Sequence, residues 1–318
     1  MMPHPATPHR DPTPWQIAEL PGSSDRAAAE AFCRDVAAGH YENFTVATQL
    51  VPPRLRQHLA NVYAFARWSD DLADEAESPQ AAANALAVWR GELDACFAGR
   101  PGHPIFVALA ETVRSTGLTI EPFVDLLDAF TEDSRFDASG VGPRYQTRSD
   151  LGDYCRRSAD PVGRIVLALE GCRAADPVAM SDAICTGLQL VNFWQDVRRD
   201  RLAGRVYLPR EDMDRHGVEE SMLDEPRAVP EVVSLLRDEV EWARECFTRG
   251  EPLVGLAPVS LRPAIRMFLG GGRAVADAIE RAGFDTLAFR PTIGRTRKLL
   301  LAGRAWLGVQ FQTLVGQR

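Results

Sequence analysis

The chain has 318 residues, of which 45% are hydrophobic and 25% are charged. This composition is typical of a globular protein with a sizeable core, and it excludes extensive disorder. The net charge of -8 argues against a general nucleic-acid binder, whose binding surface would be basic. We therefore expect no nucleic-acid partner, and an anionic ligand would have to bind in a local basic pocket.

The start of the chain, MMPHPATPHRDPTP, is rich in proline and polar residues and lacks the apolar core of a signal peptide. We expect residues 1–26 to be disordered. The six cysteines are scattered without a CxxC pair, which favours reduced thiols in the core. No run of 18 uncharged apolar residues is present, so we predict no membrane-spanning helix and expect a cytoplasmic location.

From about Ala27 onward, apolar residues recur at the spacing of helices, whereas the alternation typical of strands is scarce. No linker or short repeat separates two domains, so we predict a single all-α domain over residues 27–318. The final stretch, residues 296–318, reads as a basic amphipathic helix that either packs on the domain or makes a peripheral contact with anionic lipid. Helix breakers are expected at positions 52–53, 99–102, 140–143, 204, 252–258 and 270–272.

The first acidic cluster lies in YAFARWSDDLADE, residues 63–75. On a helix, Asp70 and Asp74 lie about 40° apart and share a face. Asp71 falls within the same turn, and Arg67 precedes the acids by one turn. Because apolar residues surround the cluster, we expect it to line an interior cleft.

The second cluster lies in QLVNFWQDVRRD, residues 189–200, where Asn192, Asp196 and Asp200 form one stripe that Gln189 extends. A solvated charged face is the usual explanation for one such cluster. Two clusters facing a cleft would repel each other unless cations lay between them. Oxygen ligands from Asp and Asn suit Mg²⁺, which commonly bridges to phosphate. The sequence therefore predicts Mg²⁺ that clamps a diphosphate inside a helical bundle.

Basic residues are placed to meet that diphosphate. Arg67 lies on the first helix, Arg205 and Tyr207 follow the second cluster in GRVYLP, and Arg290 and Lys298 lie in FRPTIGRTRK. Arginine makes bidentate contacts with phosphate oxygens, and lysine adds a point charge. A surface salt bridge is the alternative role for each of them. No P-loop or GxGxxG motif opens a helix, so nucleotide binding has no support.

With these motifs and DYCRRSADPVG at 153–163, the chain resembles the squalene/phytoene synthase family over about residues 40–298. The resemblance implies a class I isoprenoid synthase bundle with a central cavity that acts on a prenyl diphosphate with Mg²⁺. It implies that the metal is held by acidic and amide side chains: Asp70, Asp71, Asp74, Asn192, Asp196 and Asp200. It implies a second set that binds the substrate: Phe44, Tyr63, Arg67, Gln189, Arg205, Tyr207, Arg290 and Lys298.

The chain also departs from the family pattern. Members that condense two prenyl diphosphates usually have arginine at the position of Gln195, and a neutral segment on the central helix where this chain has Arg156, Arg157 and Asp160. The chain resembles instead the bacterial hopanoid-pathway branch, which converts presqualene diphosphate to hydroxysqualene. The resemblance therefore implies no use of NADPH.

Catalytic roles follow from this resemblance. Asp160, assisted by Arg156 or Arg157, would orient the water that captures a cationic intermediate, and Tyr154 would lie close to the reacting carbons. The alternative for Asp160 is an ion pair within the helix. The alternative for Tyr154 is a buried phenol with one hydrogen bond.

The sequence is compatible with three other functions. The nearest is the condensation of two prenyl diphosphates to presqualene diphosphate or phytoene. A second is a non-catalytic assembly subunit or scaffold beside other squalene-pathway enzymes, which loss of the acids would mark, although both clusters are complete here. A third is an unrelated Mg²⁺-dependent helical hydrolase. Handing over apolar substrates near the inner membrane face would explain a basic C-terminal helix.

Overall fold

Helices form nearly all of the regular structure in the computed structural model, which describes residues 25–40, 50–74, 76–139, 142–292 and 294. Among these residues, β-type pairing is limited to one isolated bridge between Arg144 and Val206. The predicted all-α fold is therefore confirmed. In chain order the α-helices are Arg26–His40 (α1), Pro53–Asp74 (α2), Pro79–Phe97 (α3), Pro104–Thr116 (α4), Glu121–Ser139 (α5), Arg148–Ser158 (α6), Asp160–Leu169 (α7), Ala175–Leu202 (α8), Arg210–His216 (α9), Pro230–Gly250 (α10), Leu253–Leu256 (α11) and Arg262–Arg281 (α12), with a 3₁₀ helix at Glu220–Asp224.

The 28-residue helix α8 is the central element of the packing. It lies along α10 and also contacts α7 and α12. Its buried face includes Leu190, Val191 and Trp194, none of which is more than 1% exposed. Burial of a large apolar side chain stabilises a fold by about 1.5–3 kcal/mol. This face holds α8 in place and fixes the direction in which its polar stripe points.

Helix α2, which carries the first acidic cluster, is held by an aromatic group. Phe65 packs edge-on against Phe106 and stacks on Trp89, with ring centroids 5.9 and 6.4 Å apart. The Trp89 indole N–H donates to the Ser69 hydroxyl at 2.9 Å. These contacts bury one face of α2 and leave its acids on the less buried side.

Two predictions about helix boundaries are wrong. Helix α12 continues through the glycines at 270–272. A Cβ on Gly272 would lie 2.3 Å from Phe247 Cζ, so glycine here allows α12 to approach α10 closely. The second error concerns DYCRRSADPVG, which is divided between α6 and α7 at Ala159. Pro161 lacks an N–H and its ring collides with the carbonyl four residues earlier, which explains the break.

Other predictions concern the ends of the chain. Residues 1–24 and the predicted C-terminal helix at 296–318 lie outside the described residues, whereas Arg26 is the first residue of α1. Among the described residues, no helix is both long and apolar enough to cross a membrane.

Candidate active site

The first acidic cluster occupies the end of α2. Arg67 donates a hydrogen bond to Asp70 at 3.0 Å and another to Asp71, while Asp74 is exposed. Burial raises the pKa of Asp70 to about 6, and the negative charge of Asp74 adds to that rise, whereas the Arg67 guanidinium opposes it. Tyr63, one turn before Arg67, is half-buried. The cluster therefore contains a carboxyl group that a nearby cation would help to ionise.

The second cluster occupies the C-terminal turns of α8. Asn192 is exposed, Asp196 and Asp200 are half-buried, and Gln189 is half-buried one turn before Asn192. Burial raises the pKa of Asp200 to about 7, and the negative charge of Asp196 adds to that rise. The positive charge of Arg205 opposes the shift. This cluster, like the first, therefore contains a carboxyl group whose ionisation burial disfavours.

Arg205 connects the two clusters electrostatically. Its charge lowers the pKa of both Asp70 on α2 and Asp200 on α8, against the upward effect of burial. The Arg205 backbone N–H donates to the Asp200 carbonyl at 2.8 Å, after a turn in which Gly204 has φ 79°. Glycine adopts that left-handed conformation without strain. A small pocket, partly open to solvent, adjoins this turn; its lining includes Asp200, Arg205, Phe193 and Tyr207.

Arg290 reaches the second cluster from a position 94 residues further along the chain. Its Nε and Nη2 donate to the two carboxylate oxygens of Asp196 at 2.5 and 2.8 Å. Nη2 also donates to Gln195 Oε1 at 3.2 Å, and the Gln195 amide nitrogen donates to the Pro291 carbonyl. Gln195 is only 7% exposed. A predicted diphosphate ligand thus lies directly on a predicted metal ligand.

An aromatic group lies beside the second cluster. Phe193 and Tyr207 stack with ring centroids 3.8 Å apart, and Tyr145 and Tyr154 each lie 6.2 Å from Tyr207. The Tyr154 hydroxyl donates to Asp133 at 2.9 Å. Burial and the Asp133 charge raise the pKa of Tyr154 well above its ordinary value, so the phenol stays protonated. The sequence pattern did not identify Tyr145, Phe193 or Asp133, because aromatic residues at helical spacing are typical of a core.

Asp160 lies elsewhere in the bundle. It is the first residue of α7, is 5% exposed and accepts a hydrogen bond from the Thr186 hydroxyl at 2.9 Å. Burial raises the pKa of Asp160 to about 7, and the charge of Asp182 adds to that rise. Thr186 precedes Asp196 by ten residues on α8, which corresponds to about 15 Å along the helix axis. Asp160 therefore contacts α8 at Thr186, well away from the second cluster along the helix axis.

The two arginines before Asp160 have other partners. Arg156 lies 3.8 Å from Asp153, and Arg157 lies 2.6 Å from Glu132. The ion pair with Asp160, which was the alternative to a catalytic role, is not formed. The positive charge of Arg156 still lowers the pKa of Asp160 slightly, against the larger effect of burial. Two further predicted substrate ligands, Phe44 and Lys298, lie outside the described residues.

The carboxylates of the two clusters are possible ligands for Mg²⁺. Among the described residues, no three acidic, histidine or cysteine side chains lie close enough to hold a metal ion by themselves. Mg²⁺ is commonly held by only one or two carboxylates, together with waters and substrate phosphates. The raised pKa values of Asp70 and Asp200 agree with this arrangement, because a nearby dication would lower both. The residues therefore fit Mg²⁺ that is shared with a phosphate ligand.

Known proteins resemble this chain over most of its length. The family model described as squalene/phytoene synthase matches residues 37–297, which include both clusters and Arg290. The chain is 30% identical to the 15-cis-phytoene synthase of Synechocystis sp., over 94% of this chain and 93% of that protein. It is 38% identical to the solved squalene synthase HpnC from Alicyclobacillus acidocaldarius, with a TM-score of 0.77 over 84% of this chain and 98% of that one. A dehydrosqualene synthase solved with a ligand is 26% identical, with a TM-score of 0.79 over 90% of this chain and 98% of that one.

Proposed function

The chain belongs to the squalene/phytoene synthase family, and from this premise we propose that it converts presqualene diphosphate and water to hydroxysqualene and diphosphate, without NADPH. Proteins of this family process prenyl diphosphates, so the general role is that of an isoprenoid synthase. The observation that carries the proposal is that the positive charge of Arg205 acts on both Asp70 of α2 and Asp200 of α8. It supports one site in which carboxylates from two helices and a guanidinium surround a diphosphate.

The diphosphate end of the site follows from the charges. Mg²⁺ bound there would neutralise the leaving oxygens. As the C–O bond breaks, negative charge grows on the diphosphate, and guanidinium groups fixed in a partly dry site stabilise it. The metal would be held by Asp70, Asp71, Asp74, Asn192, Asp196 and Asp200. The substrate would be bound by Phe44, Tyr63, Arg67, Gln189, Arg205, Tyr207, Arg290 and Lys298.

The aromatic group suits the other half of the reaction. Loss of diphosphate leaves a cyclopropylcarbinyl cation, and the faces of aromatic rings attract cations. Phe193 and Tyr207 line the same pocket as Asp200 and Arg205, and Tyr154 packs against both rings. These rings would stabilise the cation while it rearranges and would exclude water from premature reaction.

Water capture is assigned to Asp160. Its carboxyl group is buried and has a pKa of about 7, so it exchanges a proton near neutral pH. The water oxygen would form the new C–O bond, and the proton that it loses would pass to the carboxylate. Because Asp160 lies away from the second cluster, this assignment requires the cationic carbon to lie deep in the bundle. The Tyr154 hydroxyl, beside the pocket, is the second candidate for orienting the water.

Condensation of two prenyl diphosphates is a second candidate function. The names of curated relatives favour it, since the 15-cis-phytoene synthase of Synechocystis sp. aligns with nearly the full chain. Gln195 argues against it, because the arginine usual at this position would supply one more cation for a second diphosphate. The neutral side chain instead contacts Arg290 and Pro291.

Product analysis separates the two functions. The purified protein with Mg²⁺ and no NADPH would be incubated with presqualene diphosphate and, separately, with farnesyl or geranylgeranyl diphosphate, and the products would be identified by mass spectrometry. We expect hydroxysqualene from presqualene diphosphate and no product from the other two substrates. Presqualene diphosphate or phytoene from those substrates would establish the condensation, and no product from any substrate would favour a scaffold.

A further inference from the structure

We propose that Gln195 is a positioning residue that holds Arg290 on Asp196 while the site is empty, so that metal and diphosphate bind the second cluster cooperatively. The inference rests on the proposed function, because it concerns the same diphosphate site. Neither ligand alone would open the contact between Arg290 and Asp196, whereas both together would.

The neighbours of position 195 require a side chain with both a hydrogen-bond acceptor and a donor. The Gln195 side chain accepts a hydrogen bond from the Arg290 guanidinium through Oε1 and donates one to the Pro291 carbonyl through Nε2. An amide has both an acceptor and donors, whereas arginine has only donors. Arginine at 195 would therefore bind the Pro291 carbonyl but would repel Arg290. Glutamine suits both neighbours, and its burial at 7% exposure keeps the amide in place.

Both carboxylate oxygens of Asp196 already have a positively charged partner. Both of its carboxylate oxygens accept hydrogen bonds from Arg290, at 2.5 and 2.8 Å, and its side chain is 16% exposed. A divalent cation that binds Asp196 must either share the carboxylate with Arg290 or displace one of these bonds, since an ionised carboxylate has about four acceptor positions. It must also approach a guanidinium, and like charges at short range in a partly buried site repel strongly. A metal ion alone is therefore a poor competitor for Asp196.

Diphosphate makes it easier for the Arg290 guanidinium to leave Asp196. Arginine pairs with phosphate oxygens as well as with carboxylates, so diphosphate offers the Arg290 guanidinium a new partner when Asp196 turns to the metal. Gln195 keeps the 290–291 backbone on α8 during the exchange, since its bond to the Pro291 carbonyl does not involve the guanidinium. Each ligand thus lowers the cost of binding the other, and this coupling is reciprocal.

Binding of Mn²⁺ as a probe for Mg²⁺ tests the proposal without turnover. Free Mn²⁺ would be measured by electron paramagnetic resonance with the full-length protein, with and without inorganic diphosphate, correcting for the Mn²⁺–diphosphate complex in solution. For the wild type we expect Mn²⁺ affinity to rise by about 5- to 150-fold when diphosphate is present, the usual range of coupling between sites.

Two variants identify the residues responsible. Arg290→Lys keeps the charge but loses the two-pronged contact, and Gln195→Met removes both amide hydrogen bonds. We expect each to bind Mn²⁺ at least about threefold more tightly in the absence of diphosphate and to reduce the coupling by a similar factor or more. Circular dichroism would verify that Gln195→Met is folded. If it is not, Arg290→Lys still tests the proposal, because the Arg290 side chain is 49% exposed and its replacement should not disturb folding.

Arg199→Gln is the matched control. Arg199 is exposed, and its charge lowers the pKa of Asp200. Its removal should tighten Mn²⁺ binding equally with and without diphosphate, leaving the coupling unchanged. Unchanged coupling in both Arg290→Lys and Gln195→Met would overturn the proposal. Equal Mn²⁺ affinity with and without diphosphate in the wild type would also overturn it while leaving the proposed function intact, whereas no Mn²⁺ binding in either condition would contradict both.

Discussion

The two acidic clusters obtain their positive charges in different ways. In the first, Arg67 lies three and four residues before the two carboxylates that it contacts, on the same helix. In the second, Arg290 comes from a position 94 residues away, and Arg205 comes from the turn after the helix. The contacts of Arg67 with the first cluster are therefore arranged as soon as α2 forms. The contacts that arginines make with the second cluster depend on tertiary structure, so these are the contacts that a ligand would rearrange.

The largest expected effect comes from removing a carboxylate of the second cluster. Asp196→Ala should lower kcat with presqualene diphosphate by about 100-fold or more, because the metal loses a ligand and charge on the leaving group is less stabilised. Far-ultraviolet circular dichroism should be unchanged, because the buried apolar side chains that hold α8, such as Leu190 and Trp194, remain. Near wild-type turnover in a folded Asp196→Ala protein would refute the role of the second cluster.

Replacing the arginines should have a smaller effect, and the difference between Arg205 and Arg67 tests whether Arg205 acts on both clusters. Arg205 interacts with acids of both clusters, whereas Arg67 donates hydrogen bonds to acids of its own helix. Arg205→Ala should weaken inhibition by inorganic diphosphate by about 10- to 100-fold, the loss of one or two charge-assisted hydrogen bonds. Arg67→Ala should weaken it several-fold less. Equal effects of the two substitutions would mean that Arg205 does not join the clusters.

Asp160→Asn tests a site that belongs to neither cluster. The amide keeps the shape and can still accept a hydrogen bond from Thr186, but it cannot take a proton from water. We expect diphosphate release to slow by only about tenfold, less than the roughly 100-fold or more typical of general-base catalysis, because water capture follows the breaking of the C–O bond. We expect the products to shift from alcohol to hydrocarbons formed by proton loss. Mass spectrometry of the extracted products is the measurement. The same alcohol at the same rate would exclude Asp160 from water capture.

The smallest expected effect is on stability. Because the pKa of Asp200 is raised to about 7, the folded protein binds this proton more tightly than the unfolded chain, in which the pKa is about 4. The contribution of Asp200 to stability therefore falls as pH rises from about 4 to about 7. In EDTA, Asp200→Asn should raise Tm at pH 8 by about 2–4 °C per kcal/mol regained, and by less at pH 5. An equal change in Tm at both pH values would contradict the raised pKa.

The first cluster and the helical class could be predicted from sequence because both depend on local spacing. Asp70, Asp71 and Arg67 lie on one helix, so periodicity alone brings them together. The contact between Arg290 and Asp196 could not be predicted, since it depends on how the segment after α12 returns to α8. The position of Asp160 could not be predicted either, because Pro161 divides a segment whose composition suggests one continuous helix. Gly272 gave a false break, since its role is close packing against Phe247.

The reaction that we propose ionises presqualene diphosphate by breaking its carbon–oxygen bond, and the resulting cation is captured by water. The most direct test is the reaction of presqualene diphosphate with the Mg²⁺-loaded protein in ¹⁸O-labelled water, followed by mass spectrometry of the product. We predict hydroxysqualene carrying one ¹⁸O atom, together with unlabelled diphosphate. An unlabelled presqualene alcohol with ¹⁸O in the phosphate product would show cleavage at phosphorus, as by a hydrolase, and would contradict this account.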